Sequence, residues 1–134
     1  MKLHNNMLAH QTTPADYIIS YQDKSNLYLH LVECKQVTCK EGKGRLTFKR
    51  LKQMHDLLQF ERAFDFHYSW FCLAWLDRAW KDSDVYIVPA KLVSNYIDNS
   101  NKVSMNRNEA QFAFAEYKAD IKVGSIIDLN IIKS

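Results

Sequence analysis

The sequence has few of the residues that mark fibrous, low-complexity or disulfide-rich proteins. Its 134 residues include only three glycines, two prolines and three cysteines. So little glycine and proline excludes a collagen-like or low-complexity chain, and 47% hydrophobic with 25% charged residues is ordinary for a folded globule. A chain of this length has room for one core, so we expect residues 1–134 to form a single domain.

The cysteines lack the paired spacings of a zinc site or a disulfide framework. Cys34, Cys39 and Cys72 form no CxxC and no Cys/His pattern at zinc-finger spacing. Long apolar runs are also missing, because the N-terminus lacks the uninterrupted apolar stretch of a signal peptide and the stretch 70–76 is far shorter than a membrane span. We therefore expect a reduced, cytoplasmic protein with no membrane contact.

The net charge of +3 hides an uneven distribution of charge along the chain. Residues 35–52 carry seven basic residues and one acidic residue, a net +6, and the rest of the chain carries −3. Such a segment creates a local positive electrostatic potential that attracts polyanions, although a basic loop can also be simply exposed to solvent. Phosphate contacts would give affinity with little base specificity. The candidate DNA-binding residues are Lys40, Lys43, Arg45, Lys49 and Arg50.

The hydrophobic patterns predict alternating strands and helices, with a polar, loop-like region at 99–108. Their order, strand, strand, helix, strand, strand, helix, predicts an α/β domain in which a mixed β-sheet is flanked by helices in two or three layers. The predicted elements are a hairpin of strands at 16–21 and 27–35, a helix at 48–64, strands at 68–76 and 84–89, a helix beginning at Ala90, a last helix within 108–121 and a terminal strand at 125–132. The strand at 68–76 is nearly all apolar, so we expect it to be central and covered on both faces, and we expect Pro89 near the first turn of the helix that follows it.

Three charged side chains are expected to meet at one end of the hairpin. Asp16 begins the first strand, and Glu33 and Lys35 end the second, so antiparallel pairing brings them together. Two carboxylates offer hard oxygen ligands for Mg²⁺, the Cys34 carbonyl is a further possible ligand, and Lys35 can stabilise charge that develops at phosphorus. The alternative is a solvent-exposed Glu33–Lys35 ion pair with no chemical role.

These residues resemble a nuclease family. Pro14-Ala15-Asp16, followed 17 residues later by Glu33-Cys34-Lys35, looks like the motif of the PD-(D/E)xK superfamily. More closely, the order ADY, VECK, basic loop, helix, apolar strand and VYIVPAKLVSNYI resembles the RecU-type Holliday junction resolvases, from about Thr13 to the C-terminus.

The resemblance implies a restriction-endonuclease-like core and hydrolysis of DNA phosphodiester bonds. Asp16 and Glu33 would bind Mg²⁺, or Mn²⁺ in its place, and Lys35 would stabilise the transition state. The family also has a metal-site glutamine on the helix after this strand, where the nearest residues here are His55 and Gln53. Periodicity favours His55, which shares a face with Leu51 and Leu58. That histidine would act at the metal site or would be a core-edge residue.

The resemblance further implies a homodimer that acts on branched or four-way junction DNA in recombination and repair, in a bacterium or as a phage protein in its host. Three departures support an alternative, a non-catalytic DNA-binding module that retains the nuclease fold. The threonine two positions before the family's aspartate is Pro14 here, the 15 residues before Asp16 contain no acidic residue, and His55 stands in place of the family's glutamine. A weaker third interpretation is a protein-interaction domain.

Overall fold

Strands and helices alternate along the chain in the predicted order. The computed structural model describes residues 15–40, 43–48, 51–63, 67–78, 82–122 and 126–127. The helices are α1 (Leu51–Ala63), α2 (Ala90–Ser100) and α3 (Arg107–Phe114), with a 3₁₀ turn at Ala115–Tyr117. The strands are β1 (Tyr17–Asp23), β2 (Asn26–Thr38), β3 (Arg45–Thr47), β4 (His67–Leu76), β5 (Asp84–Pro89), β6 (Ser104–Asn106), β7 (Lys118–Ala119), β8 (Ile121–Lys122) and β9 (Ile126–Ile127).

The predicted hairpin is confirmed in β1 and β2. The two strands pair antiparallel with Tyr17 opposite Val32 and Asp23 opposite Asn26, so a two-residue turn connects them. Lys24 in that turn has φ of 55°, in the left-handed region that tight hairpin turns require. This register places the start of β1 beside the middle of β2, whose thirteen residues run on to Thr38.

The main sheet is mixed, and the predicted α/β architecture is confirmed. Its order is β1-β2-β4-β5-β7, in which β2 and β4 are parallel and the other neighbours antiparallel. Parallel neighbours need a crossover, and α1 lies in the connection between β2 and β4. The prediction that the apolar strand at 68–76 is central is therefore correct.

All three helices contribute to one core on one face of the sheet. The sheet side of this core includes Phe71, Leu73 and Trp75 of β4, which are fully or almost fully buried. Side chains alternate along a strand, so these odd-numbered residues share a face. The helix side of the core comprises Met54 and Leu57 of α1, Ala90 and Val93 of α2, and Ala110 and Phe114 of α3.

The opposite face of the sheet is less completely covered. Val85 and Ile87 are fully buried there, in a smaller cluster with Ala119. Cys72, in the middle of β4, is only half-buried, and Tyr68, near the start of the strand, is exposed. The expectation that β4 is covered on both faces is thus wrong at its N-terminal end.

Two short strands in regions predicted as loops form a second sheet. Arg45–Thr47 pairs antiparallel with Ser104–Asn106, and the central pair, Leu46 and Met105, is buried. Three residues are too few for a periodic signal, and their partners lie about sixty positions apart, so local patterns do not reveal this pairing. Of the predicted terminal strand only Ile126–Ile127 lies within the described residues, and it pairs with β8.

Among the helices that the structure describes, none is both long enough and apolar enough to span a membrane.

Candidate functional site

Asp16 lies at the end of the hairpin where the sequence predicts it. The backbone N–H of Cys34 donates a hydrogen bond to Asp16 Oδ2 over 2.9 Å. Tyr17, the next residue, already pairs with Val32, so the carboxylate lies beside the part of β2 that carries Glu33 and Lys35. A bond between residues 18 positions apart follows from the hairpin register, because that register alone determines which residues lie opposite each other.

Glu33 and Lys35 project toward the helices. Their neighbours across the β2–β4 pair are Phe71 and Leu73, which belong to the helix-covered core. Glu33 is only 6% exposed, and Lys35 is half-buried. A carboxylate buried to this extent is costly unless it is paired or hydrogen-bonded. Glu33 is not without a partner in the protein. An ion pair lying wholly in solvent, the alternative considered for these two residues, does not describe this environment.

His55 does not join Asp16 and Glu33. The buried residues of α1 are Met54 and Leu57, and His55 is exposed, so the expectation that it faces inward with Leu58 is wrong. Met54 and Leu57 set the rotation of the helix, which turns the neighbouring His55 toward solvent. The side chain of Gln53, the other residue considered, lies outside what the structure describes. Within the described residues no group of three or more His, Cys, Asp or Glu side chains is arranged to hold a metal ion.

A glutamate that the sequence analysis did not single out attaches α1 to β4. Glu61 Oε1 accepts a hydrogen bond from the backbone N–H of Ser69 at 2.8 Å, and the Ser69 hydroxyl donates to the Leu57 carbonyl at 2.6 Å. These bonds connect the helix to the start of the strand that runs beside Glu33. They fix α1 against β4, the strand next to β2.

Two thiols lie close to the candidate site, on the face of the sheet opposite the helices. Cys34 and Cys72 are register partners across β2 and β4. Interaction with the Cys72 thiol raises the pKa of Cys34 well above its usual range, and desolvation and the nearby charges of Asp16 and Glu33 act in the same direction. The same interaction lowers the pKa of Cys72 against the opposing effect of burial.

The described part of the basic segment begins where β2 ends. Lys40 and Lys43 form a backbone bridge, with N–H to carbonyl distances of 3.0 and 2.9 Å, and both side chains are exposed. Arg45 on β3 is also exposed. Lys49 and Arg50 lie outside the described residues. Because β2 is extended, Lys40 follows Lys35 by about 17 Å along the strand direction, so Lys40 does not lie beside Asp16.

A cluster of ion pairs that sequence analysis missed joins β5 to α3. Asp84 Oδ2 accepts a hydrogen bond from Arg107 Nε at 2.9 Å, and Asp84 Oδ1 forms an ion pair with Lys118 Nζ at 3.2 Å. Burial raises the pKa of Asp84, but these two cations outweigh that effect and hold the pKa below its usual range. Arg107 also donates to the Asp82 carbonyl and lies 3.7 Å from Asp77. No spacing in the sequence indicates this cluster, because its members come from four distant positions.

A polar cavity of about 670 Å³ opens beside this cluster. Basic side chains line part of it, but Arg107 and Arg45 already pair with carboxylates of the protein. Lys43 is the exposed cation at its rim for which the structure records no salt bridge among the described residues. The cavity thus lies beside the basic segment.

No family model, curated protein or solved structure matches this chain.

Glu109 organises the start of α3 behind the cavity. It completes a capping box with Asn106, in which Glu109 N donates to Asn106 Oδ1 at 2.8 Å and Asn106 N donates to Glu109 Oε1 at 3.1 Å. Its carboxylate also pairs with Lys102 at 2.9 Å and Arg45 at 3.0 Å. These contacts, the one with Lys102 first, lower the pKa of Glu109 to about 2. Glu109 therefore connects the basic strand β3 to α3.

We expect Glu109 to make folding stability depend on acid pH. Its folded pKa lies below the unfolded value of about 4.3, so its contribution is present above that value and is lost as the pH falls toward about 2. Glu109→Gln keeps the geometry of the capping box but removes the charge, so the variant should lose less stability than the wild type over this interval. Urea unfolding from about pH 6 to about pH 2.5 measures the difference. Glu116→Gln, at an exposed position seven residues on, is the matched control. Parallel stability curves for wild type and Glu109→Gln would contradict the assignment.

Proposed function

We propose that this protein is a Mg²⁺-dependent DNA endonuclease with a restriction-endonuclease-like core, most similar to Holliday junction resolvases of the RecU type. The observation that carries the proposal is the 2.9 Å bond from Cys34 N to Asp16 Oδ2. It holds an aspartate beside the Glu33–Lys35 strand, as the PD-(D/E)xK motif requires. The hairpin register brings the residues of the motif together, which supports the proposal.

The chemistry of the donors fits a hard divalent cation. Mg²⁺ binds oxygen, takes one or two carboxylates and keeps several waters, and Mn²⁺ accepts similar ligands. Asp16 and Glu33 supply two carboxylates, and the backbone bond uses only one of the Asp16 oxygens. These residues would hold the ion, which when bound supplies a Lewis acid for a phosphodiester oxygen. The exposed position of His55 favours a site built on the two carboxylates without it.

The remaining chemistry would come from the chain itself. Lys35 is a half-buried ammonium two residues after Glu33, on the same face of β2. A fixed cation in a partly dry environment stabilises negative charge that develops at phosphorus better than one in open solvent does. Lys35 would therefore bind and orient the phosphodiester group, and Asp16 and Glu33 would keep the local charge balanced.

The exposed basic residues supply a surface for DNA at a distance from this site. Lys40, Lys43 and Arg45 lie at or beyond the end of β2. A separation of about 17 Å corresponds to about five nucleotides of one strand, so the same DNA backbone could contact both regions. This separation supports phosphate contacts that position the DNA and leave cleavage to the hairpin end. We propose that the protein works as a homodimer, cutting symmetric strands of a branched substrate in the bacterial or phage-infected cytoplasm.

A cleavage assay on three substrates tests the proposal. The purified protein is incubated with a four-way junction, duplex and single-stranded DNA, with Mg²⁺, with Mn²⁺ or with EDTA. We expect paired, symmetric cuts in the junction that require the metal and stop with EDTA. Cleavage of all three substrates would support the nuclease activity but contradict the proposed specificity for junctions. If no substrate is cleaved, the proposed nuclease activity is wrong.

The second candidate function is a non-catalytic DNA-binding module with the same fold. The low exposure of Glu33, at 6%, favours this second candidate, because a hydrated metal ion needs access to the carboxylate that binds it. This module would bind DNA in the same assay without cutting it. Its affinity would fall steeply with salt, since phosphate contacts release counterions. If no DNA binding is detected even at low salt, both candidate functions are wrong, and the protein-interaction interpretation is favoured.

A further inference from the structure

Two of the three cysteines face each other on neighbouring parallel strands. Cys34 of β2 and Cys72 of β4 are in register. Residues in register on parallel strands project to the same side of the sheet. The two thiols are therefore neighbours on one face of the sheet.

The geometry of this pair is compatible with a disulfide. Neighbouring strands lie about 4.8 Å apart, and disulfides join Cα atoms that are about 4.4 to 6.8 Å apart. Cys39 is not a competing partner. It lies beyond the end of β2, about 17 Å along the strand direction from Cys34, and it is buried. Among the cysteines only Cys34 and Cys72 are close enough to be joined without rearranging the sheet.

A soluble reagent can reach this pair. Cys34 is exposed and Cys72 is half-buried, and both lie on the sheet face that the helices leave uncovered. We propose that Cys34 and Cys72 form an oxidant-responsive thiol pair, which hydroperoxides convert to a reversible disulfide within one chain. This modification is independent of the proposed nuclease activity, since it needs only the two thiols and the oxidant.

The reaction balances with one hydroperoxide for each disulfide. The sulfur of one thiol attacks an oxygen of the hydroperoxide, the O–O bond breaks, and the products are a sulfenic acid and water, or an alcohol from an organic hydroperoxide. The second sulfur then attacks the sulfenic sulfur, the S–O bond breaks, and a second water leaves. The two sulfur atoms are oxidised by two electrons together, the peroxide is reduced by two, and the thiol protons leave in the products.

The new bond would lie next to the candidate site. The backbone N–H of Cys34 holds Asp16, and Cys34 separates Glu33 from Lys35 in the chain. A disulfide at this point would link β2 covalently to the central strand. Thiol reductants of the cytoplasm would reverse the bond by exchange.

Peroxide treatment of the full-length protein tests the proposal. After hydrogen peroxide is removed, the protein is unfolded in alkylating reagent and its intact mass is measured. We expect a loss of two hydrogens, a fall in alkylatable cysteines from three to one, and recovery of all three after dithiothreitol. Digestion of the wild-type protein without reduction should yield a Cys34–Cys72 linked peptide. This readout does not depend on the folding of any variant.

The single cysteine variants provide the controls. Cys39→Ser should form the bond like the wild type, and Cys34→Ser and Cys72→Ser should retain both of their remaining thiols or take up oxygen without losing two hydrogens. A linked peptide that contains Cys39, a disulfide between two copies of the chain, or oxygen uptake by the wild type without a bridge would each overturn the proposal.

Discussion

Asp16→Ala and Glu33→Ala are each expected to lower the rate of metal-dependent DNA cleavage by about 100-fold or more, in the range seen when a charge-stabilising group is removed from an active site. Each variant deletes one of the two carboxylates that would hold the ion. Lys35→Ala should lower the rate to a similar extent, because it removes the cation that would bind the phosphodiester under the proposed function. DNA binding should persist, because Lys40 and Lys43 are exposed beyond the end of β2. Gel-shift and cleavage assays on the same preparations separate the two effects.

Asp16→Asn separates the charge of this residue from its role in the fold. An asparagine carbonyl can still accept the hydrogen bond from Cys34 N, so the hairpin end should stay in place while the charge is lost. We expect cleavage to fall nearly as far as in Asp16→Ala. Asp23→Asn is the matched control, since Asp23 is an exposed aspartate at the opposite end of the same hairpin. Cleavage by Glu33→Ala at the wild-type rate would contradict the assignment of the site.

Trp75→Ala is expected to reduce the free energy of unfolding by about 3 to 5 kcal/mol, the usual cost of removing a large aromatic residue from a core. Trp75 is fully buried on β4, and its ring meets Tyr86 of β5 edge to face at 5.8 Å. The substitution removes both the buried surface and this aromatic contact. Urea unfolding, followed by circular dichroism, measures the loss.

Tyr86→Phe is the matched substitution in the same aromatic pair. Within the part of the chain that the structure describes, the Tyr86 hydroxyl is buried and has no hydrogen-bond partner. Burying an unpaired hydroxyl is unfavourable, so its removal should leave stability unchanged or raise it by about 1 kcal/mol. A loss of more than about 1 kcal/mol would show that the hydroxyl has a stabilising partner, and a small effect of Trp75→Ala would contradict the central place of Trp75 in the core.

The main strands and helices could be predicted because their signals are local. The strand at 84–89 was predicted with the bounds that β5 has, and Pro89 marks the start of α2, as expected. β4 was recognised as central because its run of apolar residues is nearly continuous. The last predicted helix was too long, because α3 ends at Phe114 and the chain continues through a 3₁₀ turn into β7. β7 is only two residues long, so only its pairing with β5 identifies it.

The candidate site could be predicted in part. Asp16 was expected beside Glu33 and Lys35 because a hairpin register follows from its strands and turn, and the hydrogen bond from Cys34 N confirms that proximity. The prediction that Glu33 and Lys35 end the second strand was wrong, because β2 continues to Thr38. His55 was misplaced, because the stripe of Leu51, His55 and Leu58 competes with a stripe through Met54 and Leu57. Packing against β4 determines which of the two stripes faces the sheet, and the helical pattern of the sequence does not reveal that contact.

Local pattern, then, was enough to establish an α/β chain with a hairpin, a central apolar strand and a charged motif at one hairpin end, because each depends on residues close together in sequence or on one hairpin register. Tertiary structure alone decided how deeply Glu33 is buried, which side of α1 meets the sheet, and how Arg107 meets Asp84. It also decided that Cys34 faces Cys72. Those contacts join residues from separate elements, and only the packing of the whole chain determines which side chains become neighbours.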